Sequence, residues 1–137
     1  MNENISAAPE STLQRLRALR RGLLHLHKAL LDLERASYEQ VYGRVASGEL
    51  LRLVISHEQF AWLHAISELI VRIDEMLDAD EPLTISEAES VFAQARRLLK
   101  PSEMGGEFER RYHAALQRDP TTVLAHREVT QILSAGS

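Results

Sequence analysis

The sequence predicts an all-α protein, a helical bundle of five or six helices with one long N-terminal helix. Three observations predict it. No proline occurs between residues 10 and 81. Within that stretch the apolar residues recur at three-and-four spacing, the period of a helix and not of a strand. Beyond it, capping and breaking residues punctuate the chain at helix-length intervals. Leu50 to Ile55 could be extended locally, but it has no partner strand elsewhere.

The elements follow in order. Ser11-Thr12-Leu13-Gln14 has the form of a capping box, a hydroxyl for an early N–H and a Gln three residues on to answer it. The helix it opens can run to Gly43, about 50 Å at 1.5 Å per residue. Gly43 and Gly48 bracket a turn, and a short helix from Glu49 to Ile55 follows. Ser56-His57-Glu58-Gln59 is a second possible capping box, so the next helix runs from His57 to about Asp78. Asp78 to Pro82 is a polar break. Thr84 or Ser86, with Glu87 or Glu89 three residues later, caps a helix that stops near Lys100, because Pro101 disfavours helical geometry in the residue before it. Gly105-Gly106 is a loop. Glu107 to Arg118 carries Phe108, Tyr112 and Leu116 on one face. Asp119-Pro120 restarts the chain into a last helix ending near Leu133. Residues 1–10 are expected to be a frayed, disordered leader, and residues 11–134 a single helical-bundle domain.

Bulk composition narrows the function classes. At 137 residues, 45% apolar and 26% charged, the chain is long enough for one packed core. A net charge of −4 makes general nucleic-acid binding unlikely on electrostatic grounds. There is no cysteine, which removes disulfides, thiol catalysis and thiolate metal sites and agrees with a cytoplasmic location. No long uncharged apolar stretch suggests a membrane span.

The two long helices carry the candidate sites. On the helix from His57, Trp62, Leu63, Ile66, Leu69, Ile70, Ile73, Met76 and Leu77 fill one arc. Phe60 and Val71 fall on the opposite, polar arc. Either a neighbouring segment covers them, or they mark, together with Trp62, a partner interface. The first helix has two apolar stripes. One is Leu16, Leu19, Leu23, Leu26, Leu30, Leu33 and Val41; the other is Leu13, Leu24, Leu31, Tyr38 and Tyr42. So wide a face implies packing on both sides, as the central element or across a dimer interface. Between the stripes run Arg20, His27 and Glu34, spaced seven apart. Successive members stand about 10 Å apart and cannot all bond one another. They are either register-setting polar groups or, with Tyr38, a ligand pocket or relay in which His27 acts as acid, base or ligand.

Catalytic signatures are absent. There is no Glu-x-x-His of the di-iron bundles, no His-Glu-x-x-His, no glycine-rich phosphate loop and no nucleophile elbow. His64…Glu68 and Glu109…His113 are i,i+4 pairs, ordinarily weak surface contacts, so no metal and no cofactor is expected. Arg15, Arg17, Arg20, Arg21 and Lys28 give the first helix a basic start that opposes its dipole; either acidic neighbours compensate it, or it is a local patch for nucleic acid or an acidic partner.

Two short segments resemble known families. His25-Leu26-His27-Lys28-Ala29 is similar to the phosphoacceptor segment of histidine-phosphotransfer domains, which implies His25 as phosphoacceptor and Lys28 as its companion; Ala29 stands where that family usually has glycine. Gly48 to Asp74 resembles a segment of small uncharacterised bacterial helical proteins, which implies a bacterial cytoplasmic protein and brings no activity with it. The leading expectation is a non-enzymatic bundle that binds a protein partner or itself as a homodimer. The rival is a small-molecule or metal-binding bundle built on Arg20, His27, Glu34 and Tyr38.

Overall fold

The computed structural model describes residues 6–135. Six α-helices occupy it: α1 Glu10–Tyr42, α2 Ser47–Ser56, α3 His64–Asp78, α4 Ile85–Leu98, α5 Glu107–Arg118 and α6 Pro120–Ser134. A 3-10 turn, Glu58–Leu63, runs directly into α3. Among the described residues there is no strand, only one isolated bridge between Ala7 and Thr84.

The long first helix is the axis of the bundle. Its 33 residues end where Gly43 turns out of the helix at φ 88°, a conformation that suits a residue without a Cβ. The first apolar stripe is the centre of the core: Leu16, Leu19, Leu23, Leu26 and Leu30 have no exposed surface. Beyond Leu30 the stripe runs out, and Val41 is 72% exposed. The helix packs on both sides as its wide apolar face requires, against α6 and against α3. Phe92 of α4, Tyr112 of α5 and Val129 of α6 complete the same core.

Several local expectations are corrected. Ser11 forms no capping box, because the helix starts a residue earlier, after Pro9, whose carbonyl accepts from the N–H groups of Thr12 and Leu13. Gly48 does not close the turn; it lies inside α2. At the second possible capping box the capping residue is His57 and not Ser56: the His57 Nδ1 accepts from the Gln59 N–H at 3.1 Å. The chain then winds as a 3-10 turn before α3, where one continuous α-helix was expected. The leader is also corrected in part. Ala8 donates to the Leu83 carbonyl at 2.7 Å, and Ile85 donates to the Ser6 carbonyl at 2.9 Å, so Ser6 to Ala8 are tied to the start of α4. Residues 1–5 lie outside the described residues. By contrast, Thr84 and Glu87 form the expected capping box, and Pro120 opens α6.

Candidate functional site

The polar line of α1 lies in the seam between α1 and the 3-10 turn with α3. The two run antiparallel, and each member of the line meets a different residue. Arg20 bonds Asp74 in an ion pair, both partners a little under half exposed. His27 Nε2 hydrogen-bonds with Ser67 Oγ at 2.9 Å. Glu34, only 8% exposed, accepts from Gln59 Nε2 at 2.9 Å and from the Trp62 indole Nε1–H at 3.2 Å. Tyr38 stands apart from these bonds. Its ring meets Tyr42, His57 and Phe60, with centroids 4.6, 5.4 and 6.0 Å away.

The expected pocket or relay of Arg20, His27, Glu34 and Tyr38 is therefore corrected. Seven residues of helix separate successive members, and each finds its own partner along the 3-10 turn and α3, so no common cavity gathers them. Among the described residues, no buried side-chain nitrogen or oxygen lacks a partner, and nothing in the seam calls for a ligand to satisfy it. The chemistry left to the line is registry. A two-residue slide of α3 along α1 would unpair a buried carboxylate and a half-buried histidine together. His27 is held neutral by its environment. Burial lowers its pKa, and the neighbouring His64 lowers it further.

Phe60 and Trp62 are corrected as interface residues. Phe60 has no exposed surface and Trp62 only 7%, so both are core. Phe60 is roofed by Tyr38 near the end of α1, and Trp62 packs at a tilt against Phe108, centroids 5.5 Å apart. Val71 remains outside, 52% exposed. His25 lies on the surface, its Nδ1 3.0 Å from Glu128 Oε2 on α6, and Lys28 pairs with Asp32. The histidines of the two i,i+4 pairs bond other groups. His64 Nε2 bonds the Val54 carbonyl at 2.8 Å, and His113 Nε2 bonds Glu103 at 3.1 Å. No group of three metal-ligating side chains occurs among the described residues.

Two arrangements escaped the sequence reading. Arg15 and Arg96 converge on the last turn of α6: Arg15 donates to the carbonyls of Ile132 (3.1 Å) and Leu133 (2.7 Å), and Arg96 to that of Leu133 (2.9 Å). The Arg15 guanidinium also lies 4.0 Å over the Phe92 ring, and its pKa is lowered by burial and by Arg96. The basic start of α1 is thus compensated partly by Asp74 and Glu10, and partly by the negative end of another helix dipole. The second arrangement joins a buried residue to a partly buried one: the Tyr112 hydroxyl bonds His126 Nδ1. Burial raises the tyrosine pKa and lowers that of the histidine. Helical spacing had put Tyr112 on the inner face, and a buried phenol needs a partner; spacing alone could not say that His126 of α6 supplies it.

Comparison with protein-family models, with curated proteins and with solved structures returned no match. The class is set by the fold alone: an all-α bundle with one long central helix. No helix among the described residues is long and apolar enough to cross a membrane.

Proposed function

We propose that this protein is a non-enzymatic helical bundle that works by binding another protein or a second copy of itself. The observation that carries the reading is the outer surface from the end of α1 through α2. Val41 and Tyr42 are 72% and 66% exposed, Leu51 and Ile55 62% and 66%, and α2 contains no buried residue. Single exposed apolar side chains are ordinary. Four large ones along one short stretch are what a partner surface is made of. Self-association is the simplest form, because symmetric dimers are the commonest assemblies.

Size-exclusion chromatography with light scattering tests it. A second copy doubles the 15.5 kDa chain mass, and Leu51→Glu with Ile55→Glu returns it to monomer while leaving the melting temperature nearly unchanged. A wild-type monomer at high micromolar concentration removes the self-association arm. In that case the same double variant, used as the control bait in a pull-down from native lysate, must lose a partner that the wild type retains.

A further inference from the structure

The same short helix has a second property that does not depend on any partner. It is nearly detached from the bundle. None of its residues is buried, and only Leu50, Leu53 and Val54 press inward, partly buried, against the core. Its packing is chiefly on the 3-10 turn Glu58–Leu63, itself a less regular winding than the helices on either side. Both ends are extended backbone. Gly43 to Ala46 lead in, with Ala46 at φ −73°, ψ 158°, and His57 leads out at φ −85°, ψ 134°. A helix of ten residues is marginal when unsupported.

Two separate attachments hold it. On the entry side Val45 is an anchor: its side chain is buried, its N–H donates to Glu39 Oε2 at 2.8 Å, and its carbonyl accepts from Arg35. On the exit side His57 is the one residue between α2 and the 3-10 turn, its ring packed against Tyr38 and Phe60, and His64 Nε2 bonds the Val54 carbonyl. Extended joints at both ends, with one side-chain hydrogen bond holding the last turn of the helix down, describe a hinged flap.

We infer that α2 is a lid: it swings off the 3-10 turn as a unit between its two extended joints at Ala46 and His57, with the His64–Val54 bond as its latch. Opening uncovers the inner side chains Leu50, Leu53 and Val54 and the apolar side of the Phe60–Leu63 turn, while α1, α3 and α6 stay packed. Regions of few buried contacts open far below the free energy of global unfolding.

The chain lacks cysteine, so a thiol placed by substitution is the only one. Leu53→Cys puts it on the inner side of α2 and Leu51→Cys on the outer side. The expected result is that the inner thiol reacts with a soluble maleimide at least about tenfold more slowly than the outer one, at a rate that ignores low concentrations of urea. Adding His64→Ala should speed the inner thiol roughly five- to tenfold and leave the outer one alone. Hydrogen exchange of the α1 amides from Leu16 to Leu30 gives the global reference and should stay unchanged in relative order. The lid is overturned if the inner thiol reacts only through global unfolding, with the urea dependence of the α1 amides. It is equally overturned if inner and outer thiols react at one rate, or if His64→Ala has no effect on the inner one. None of these readouts changes if Leu51 and Ile55 prove to have no partner.

Discussion

At the scale of single residues, Glu34 is the most consequential polar group. It is nearly buried and bonded only by neutral donors, the Trp62 indole and the Gln59 amide. Glu34→Ala leaves the Trp62 indole without an acceptor and Gln59 with only the main-chain carbonyl of residue 34, and should cost about 1–3 kcal/mol. Glu34→Gln keeps an acceptor for the indole and should cost less. Urea unfolding followed by Trp62 fluorescence measures both, with the slope in urea unchanged. His27 and His126 set the acid response. Burial lowers both pKa values, so each histidine is neutral in the native state at pH values where the unfolded chain already binds a proton. Their contribution is therefore complete above the unfolded value near 6.5. It is lost as pH falls from there through the lowered native values. The slope is at most about 1.4 kcal/mol per pH unit for each group. Stability measured between pH 7.5 and 5 should fall, and His27→Gln should fall less steeply.

At the scale of elements, two contacts carry clear consequences. The capping box at Thr84 satisfies the Glu87 N–H at 3.1 Å, while the Glu87 carboxylate answers the Thr84 N–H and hydroxyl. Thr84→Ala should cost about 1 kcal/mol, seen as a melting temperature lower by roughly 4 °C. α1 and α6 approach each other closely at Gly22. A Cβ built there would stand 3.0 Å from Val129 Cγ2 and 3.4 Å from Ile132 Cδ1, and Val129 has no exposed surface. Gly22→Leu has nowhere to put its side chain without parting the two helices. It should destabilise by about 1–3 kcal/mol, or more, through overpacking, despite leucine's better helix propensity. Thermal melts by circular dichroism check both variants.

For the whole molecule, the first and last helices close on each other. The long first helix makes its most extensive contact with the last one, and Arg15 near the start clasps the carbonyls at the finish of α6. The bundle therefore cannot be assembled from its first five helices. A chain truncated after Arg118 loses Ala125, Val129 and Leu133 from the core and uncovers the Leu19–Leu26 face of α1. It should lose the cooperative thermal transition that the full chain shows. A truncated chain that melts cooperatively with native helix content would contradict the central place given to this contact.

Much of the architecture was readable from order alone, for a physical reason. Helix periods, the Thr84 capping box, the Asp119-Pro120 restart and the Gly43 stop are local: each depends on residues within a turn or two of one another. The dry stripe of α1 from Leu16 to Leu30 followed from the same spacing, whereas Leu24 and Tyr42 of the second stripe and Val41 of the first stay exposed. What lay between elements was not local and was decided only by packing. Periodicity put Phe60 on the polar side of α3, but the 3-10 winding before His64 shifts its direction, and the end of α1 covers it. The spacing of Arg20, His27 and Glu34 suggested one pocket; the register of α1 against α3 split them among Asp74, Ser67 and the Gln59–Trp62 pair. The clasp of Arg15 on α6 joins residues more than a hundred positions apart. A sequence states which face of each helix is dry, while which dry faces meet depends on every helix at once.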